Sequence, residues 1–521
     1  MQFTKKNILL SIIFLYIVYS ALSIGTMWDT TYHLNQGKNK LNYFFSFGKI
    51  NKEVFFDKYI PGISFTITAF LTNIAPKKFE YETLRLINMF ISLSGVYGIS
   101  KITRLLFDKK VATIAFLLFL FFPVYFGHMA INPKDTIFSI SFIWITYFIL
   151  QYLIKSEKYQ NNIKHLCKIG FLVALGTGVR LTFVAVLIPI ILFTIFEILF
   201  FKKFIYKNFS IKKFVYDILI IIIFSYVVVV VFWPQAHTNI FVLPFTYLFE
   251  TFNTWFGAPA SMLNGEIYLT NNTPKSYIAL NFLLRTPEYI LALYIFSIYF
   301  IIAKNSFFKK KYKNFNYKIY LIIFVMLFIY TLMTFSPYPM YDGMRLFMFI
   351  ISFFIIIPSL GFNYIISNFK TKIYKFYFIS IIILIFLFAF KFFSLTPYHY
   401  VYLNYLNGKT SNNINKFEGD YLGTSITKLI KKSKFLNKKN TRLSYCGAGY
   451  GKMKRGLKKN NYSNVKLVSS NEQYDYILLI NRVDWNTIDK IKNAKTCFES
   501  FKGKNISEVR RNGLVISSIR K

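Results

Sequence analysis

Acidic residues are scarce in this chain: 22 Asp and Glu stand against 63 Lys and Arg, for a formal charge of +41. A nucleic-acid partner is excluded by where the charge falls. The lysines sit in short segments between hydrophobic runs, not on one face of a soluble domain. Cysteine is nearly missing, at three residues. Cys167 lies at the edge of an apolar run, while Cys446 and Cys497 lie in the C-terminal region and read as two separate thiols. A good cleavage site is also lacking. Lys5 and Lys6 precede ILLSIIFLYIVYSALSI, but Ala21-Leu22-Ser23 matches a small-residue site poorly, so the stretch reads as an uncleaved first span. The glycine-rich CGAGYGK (446–452) lacks the spacing of a dinucleotide loop and reads as a turn.

What is present in abundance is apolar sequence, 55% of 521 residues, with 20% aromatics. An α-helix needs about 20 apolar residues to cross a ~30 Å hydrocarbon core. Runs of that kind predict spans near 7–25, 82–107, 110–131, 134–154, 164–179, 182–201, 214–233, 286–303, 317–335, 343–367 and 373–395. The stretch 59–76 is short and bracketed by prolines, and reads as a helix in or dipping into the interface. The expected architecture is a polytopic α-helical membrane protein of about 11 transmembrane helices (1–395) with a small extracytoplasmic C-terminal α/β domain (396–521).

Lysine placement orients the chain. Basic clusters such as Lys109-Lys110, Lys309-Lys310-Lys311 and Lys370 to Lys375 recur in alternate loops, and the loops between them hold almost none. The basic side is cytoplasmic. The N-terminus is then inside, and residues 396–521 lie outside a plasma membrane crossed many times.

On that outer side, unusual polar groups converge from distant segments: Asp29 and His33 in WDTTYH, His128, Asn132, Lys134 and Asp135 in HMAINPKD, Arg180 in GTGVR, and Asp342 and Arg345 in YDGMR. The long outer loop 234–285 adds His237 and Glu266. Ionisable residues at membrane depth are costly and mark cavities or sites. The set suits transfer from a lipid-linked donor. Asp29 can take a proton from an incoming hydroxyl, and Arg345, Lys134 or Arg180 can hold a phosphate whose lipid tail stays in the bilayer. Asp135 faces Asp29 to orient an acceptor, or the two carboxylates hold a divalent metal.

These segments resemble the membrane-embedded glycosyltransferases of the GT-C type, in particular bacterial relatives of the dolichyl-phosphate-mannose protein mannosyltransferases. The likeness runs through WDTTYH, HMAINPKDTIF, GTGVRLTF, FWPQAH, LNGEIY, LNFLLRTPEYIL, YDGMRLFMFI, PYHYVYLNYLNG and FEGDYLGTSITKLI. It implies inverting transfer of a sugar from a polyprenyl-phosphate donor to a lipid, glycan or protein acceptor, with Asp29 as base. Members often carry an Asp-Glu pair in the first loop, where Thr30 follows Asp29 in this chain.

TRLSYCG, NVKLVSS and YDYILLIN read as short strands, and SEVRRNGLVISSIR as a hairpin turning at Asn512-Gly513. Three other functions compete with the transferase. A lipid-linked-glycan transporter should place charges at mid-bilayer, in broken helices or inverted repeats, and no internal repeat shows. An assembly factor needs no convergent acids and bases. A surface-polysaccharide polymerase or ligase is a closer rival, being another enzyme with a lipid-linked donor.

Overall fold

The computed structural model describes residues 5–50, 57–205, 209–254, 257–336, 338–437, 440–488 and 493–521. Its first part is helical: α1 (Lys5–Ser23), α2 (Thr30–Phe45), α3 (Ile63–Thr72), α4 (Glu80–Leu106), α5 (Lys109–Leu120), α6 (Pro123–His128), α7 (Asp135–Ile154) and α8 (Ile163–Val179). Helical segments continue at Phe183–Phe201, Ile211–Val231, Glu288–Ala303, Phe315–Phe335, Arg345–Ser367 and Lys372–Ser394. Among the described residues, seven helices are long and apolar enough to cross a membrane, or eight with the bent pair Tyr277–Arg285 and Glu288–Ala303. The chain is therefore a multi-pass membrane protein. The fan of exposed Ile, Leu and Phe on these helices is the surface that lipid covers.

Prolines decide where the helices depart from the expected runs. The run 110–131 is broken between α5 and α6. Pro123 has no N–H, and Phe122 before it takes an extended ψ of 115°. The bent pair turns by 108° at Thr286-Pro287 for the same reason. Helix α3, inside the proline-bracketed stretch, has only 10 residues. At 1.5 Å per residue it spans about half of a hydrocarbon core. Its buried face packs on α2, and the buried Lys40 ties α2 to the chain entering α3 by donating to the carbonyls of Ile60 and Pro61.

After Ser394 the chain leaves the bundle and builds a five-stranded sheet from β3 (Thr441–Cys446), β4 (Val465–Leu467), β5 (Tyr476–Ile480), β6 (Asn505–Arg511) and β7 (Leu514–Arg520), in the order β4-β3-β5-β7-β6. Strands β3, β4 and β5 are parallel, and β7 pairs antiparallel with both β5 and β6. Asn512 and Gly513 both take positive φ at the β6–β7 turn, the geometry that two-residue hairpins favour. The helix Tyr450–Lys459 crosses between β3 and β4. A separate hairpin, β1 (Ala260–Leu263) with β2 (Glu266–Leu269), rises from the segment 234–285 and touches Phe417 through Leu263.

One expectation fails in this region. Cys446 and Cys497 are joined in a disulfide rather than standing as separate thiols. The bond fastens the end of β3 to the short helix Cys497–Ser500, and nothing in a 51-residue separation announces it.

Candidate active site

The turn between α6 and α7 owes its shape to Asn132-Pro133. The proline stops the helical run, and the Asn132 side chain takes over its hydrogen bonding. Asn132 Oδ1 accepts from the Asp135 N–H at 3.1 Å, and Asn132 Nδ2 donates to Asp135 Oδ2 at 2.7 Å. Asp135, at the first position of α7, is thereby fixed within a buried turn. Arg180, at the end of α8, places Nη2 at 2.7 Å from Asp135 Oδ1 and gives Nη1 to the Tyr338 hydroxyl.

The YDGMR segment supplies the next pair. Asp342 and Gly343 both adopt left-handed backbone, with φ of 57° and 67°. Aspartate and glycine tolerate that region better than most residues. The turn brings Asp342 Oδ2 to 3.0 Å from Arg345 Nη1, while Arg345 Nε lies 3.5 Å from Asp135 Oδ2. The C-terminal region closes the series. Arg482, after β5, reaches Asp342 Oδ1 at 3.0 Å and Glu418 Oε1 at 3.4 Å. Glu418 is held in turn by the Ser261 hydroxyl at 2.6 Å and the Val483 N–H at 3.2 Å.

The outcome is an alternating chain: Arg180, Asp135, Arg345, Asp342, Arg482, Glu418. Three guanidinium groups and three carboxylates neutralise one another, which is what buried charges require. Two of the charges that the sequence places here stay outside it. Asp29 and Lys134 make no ion pair or side-chain hydrogen bond among the described residues. Both are partly buried, and they interact electrostatically with each other and with Asp135. Burial pushes the Asp29 carboxyl above its ordinary value, and Arg345 and Lys134 oppose that rise.

Asp29 stands at the N-cap position of α2 with its side chain uncommitted to the helix. Its loop is gripped from the C-terminal region instead. The Trp28 N–H donates to the Leu422 carbonyl at 3.3 Å, Arg455 donates to the Trp28 carbonyl at 3.3 Å, and Lys452 donates to the Thr26 hydroxyl at 2.9 Å. Gly25 is obligatory there, because a Cβ would sit 2.1 Å from the Thr424 carbonyl oxygen. The Arg482 guanidinium lies 4.7 Å above the Trp28 ring, a cation–π contact next to Asp29.

The remaining expected residues are elsewhere or otherwise engaged. His128 is fully buried, with Nε2 3.1 Å from the Tyr421 hydroxyl and Nδ1 3.2 Å from Asn132 Nδ2. Both ring nitrogens are occupied, so it braces the Asp135 turn and is not free to exchange a proton with substrate. His33 stacks on Phe65 at 4.3 Å, and burial lowers its pKa to about 3, which leaves the ring neutral. His237 is taken up by Tyr43 and the Val230 carbonyl, and shares no contact with the charged series. Glu266 is solvent-exposed on β2. Its carboxylate belongs to a solvated hairpin, not to the site.

A divalent metal on Asp29 and Asp135 does not fit these residues. Both Asp135 oxygens already face donors from Arg180, Arg345 and Asn132, and two guanidinium groups stand where a cation would bind. Among the described residues no group of three or more His, Cys, Asp or Glu is placed to hold a metal ion.

Sequence reasoning missed Arg482 and Glu418. The signal available was an arginine directly behind the apolar strand YILLIN, a position where a solvated residue is unremarkable. Arg482 is buried to 1% exposure.

Among solved structures, the ArnT of Cupriavidus metallidurans bound to undecaprenyl phosphate is 10% identical, with a TM-score of 0.46, over 98% of this chain and 97% of that one. The Archaeoglobus fulgidus oligosaccharyltransferase in the apo form is 9% identical, with a TM-score of 0.47, over 89% and 69%. No curated protein matches the chain. Residues 61–233, which contain His128, Lys134, Asp135 and Arg180, match the family model of the dolichyl-phosphate-mannose-protein mannosyltransferases, and over that stretch the chain is similar to the family that its motifs imply.

Proposed function

We propose that this protein is a membrane glycosyltransferase that moves a sugar from a polyprenyl-phosphate donor to an acceptor hydroxyl at the outer face of the membrane. The observation that carries the reading is the pair of charges left over when the arginine–carboxylate series closes. Asp29 and Lys134 are an anion and a cation within electrostatic reach of each other and without an ion pair among the described residues, which a base and a phosphate ligand need to be.

In the proposed reaction Asp29 takes the proton of the acceptor hydroxyl as its oxygen attacks the anomeric carbon of the donor. The bond from that carbon to the phosphate oxygen breaks, and the phosphate leaves with the electron pair. Lys134 meets the growing negative charge. Arg180 keeps an Nε–H without a hydrogen-bond partner among the described residues, so it retains a donor for phosphate while Nη2 holds Asp135, and Arg345, whose Nε and Nη1 face Asp135 and Asp342, adds its positive charge. Attack opposite the leaving group inverts the anomeric centre. Asp135 positions the two guanidiniums instead of touching substrate.

In this reading residues 396–521 lie on the donor side, where the sheet region carries Arg482 to the charged series. The lysine alternation and the Cys446–Cys497 disulfide, a bond of oxidising compartments, both support that orientation. A phosphatase fused at Lys521 is expected to be active in the periplasm of a bacterial host.

The function is tested by incubating the purified protein with labelled polyprenyl-phosphate sugars and a membrane extract, then identifying the labelled product. Transfer by the wild type and none by a folded Asp29→Asn variant is the expected result. Equal transfer by the two proteins refutes the assignment of the base.

A further inference from the structure

The sheet region contains a cavity that the transfer reaction as described does not use. It has a volume of about 350 Å³ and opens at the C-terminal ends of the parallel strands β3 and β4. Tyr445 from β3, Tyr450 at the start of the following helix, Ser469 and Ser470 after β4, and Asn486 line it. The volume lies at the lower end of the range for small-ligand pockets, ~300–1,000 Å³.

Its chemistry is specific. The hydroxyls of Tyr445 and Tyr450 have no hydrogen-bond partner among the described residues, and Tyr450 is more than half exposed. The Asn486 carbonyl oxygen is equally free, while its amide makes only a long bond of 3.4 Å to Ser470 Oγ. Two aromatic faces beside uncommitted hydroxyl and amide groups, with no charged side chain on the lining, do not suit a phosphate or a metal. They suit a ligand with apolar C–H faces and many hydroxyls, which is a sugar ring.

The cavity is also connected to the base. The helix that begins with Tyr450 carries Lys452 and Arg455, which hold the Thr26 and Trp28 segment directly before Asp29. Arg455 is five residues from Tyr450, about 7.5 Å along a helix. On the other side, Asn486 follows the exposed Trp485, whose ring stacks over Arg482 at 5.6 Å, and Arg482 stacks in turn on Trp28. The buried Arg482 guanidinium, held between the Trp485 and Trp28 rings, thus links the residue beside Asn486 to the Asp29 loop.

We propose that this cavity is a glycan subsite. It binds a sugar residue of the acceptor at a distance from the reacting hydroxyl, and the helix Tyr450–Lys459 ties the subsite to the Asp29 loop. The inference rests on the transferase reading for its biological meaning, but its test does not depend on catalysis.

Full-length protein in detergent is titrated with a panel of soluble disaccharides of neutral hexoses and N-acetylhexosamines, with binding followed by saturation-transfer NMR. At least one disaccharide should bind the wild type with a Kd on the order of 1 mM. The same sugar should bind at least tenfold more weakly to Tyr450→Ala/Asn486→Ala. Both positions are exposed, so the variant is expected to keep wild-type thermal stability, and Asn486→Ala alone serves as a milder second variant. Asp29→Asn should bind the disaccharide like the wild type. No binding by any member of the panel, or binding that the double variant leaves unchanged, overturns the subsite. Binding that behaves as expected in a protein without transferase activity keeps the subsite and sinks the transferase reading instead.

Discussion

Arg482→Ala removes one side chain from the C-terminal region and unbalances charges that belong to the membrane region. Its guanidinium spans Asp342 at 3.0 Å and Glu418 at 3.4 Å, and all three groups are buried. Deleting one member of a buried ion pair costs about 3–5 kcal/mol, because the partner is left charged and dry. Here each partner keeps other support. Asp342 retains Arg345, and Glu418 retains Ser261 and the Val483 N–H. The lower end, about 3 kcal/mol, is therefore expected, equivalent to roughly a 100-fold rise in the open population of the sheet region. Limited proteolysis of the purified protein reads that population when opening and closing are fast relative to cleavage. The control is Arg482→Met/Glu418→Gln, which leaves two guanidiniums facing two carboxylates. That variant should regain most of the protease resistance of the wild type. Equal sensitivity of the single and double variants, or a single variant as resistant as the wild type, would refute the reasoning from charge balance.

Sugar transfer should have an acid limb set by Asp29. The base works only when deprotonated, and burial raises its pKa, so activity is lost as pH falls through a value above the ordinary carboxylate range of about 4. Lys134→Met removes a cation that opposes that rise, so the limb in a pH–rate profile should move to higher pH while donor KM increases; an unmoved limb separates Lys134 from Asp29. Asp135→Asn loosens both Arg180 and Arg345, and should weaken donor binding at least tenfold with less effect on the acid limb, measured as donor KM across pH. Cys446→Ser/Cys497→Ser opens a loop with a separation of 51 residues, for which chain entropy gives about 4 kcal/mol; urea unfolding of the sheet region, followed by exchange or proteolysis, should show most of that loss.

The spans are legible in the sequence because the bilayer imposes a local rule, apolar residues for about 20 positions, that any window displays. Proline placement is legible for the same reason, and it accounts for the breaks at Pro123 and Pro287. The turns NPKD and YDGMR stand out because charges beside apolar runs need a cause. What such a pattern cannot carry is distance across the fold. Arg482 meets Asp342 over 140 positions, and either residue alone reads as a loop residue. The converse error has the same origin. Glu266 and His237 are polar residues between apolar runs, like Asp342, and only packing separates a solvated glutamate or a tied histidine from a group in the site.

The order of the sheet sets a condition on the reading frame. Strand β5, which ends two residues before Arg482, lies between β3 and β7, and β7 is formed by residues 514–520. A nonsense mutation just before Leu514 would leave every transmembrane helix intact and every residue near the membrane in place. It would still strip one edge of β5 and release the arginine that closes the charged series. Alleles that stop the chain before Leu514 should therefore behave genetically like alleles of Asp342, although they map far downstream of it.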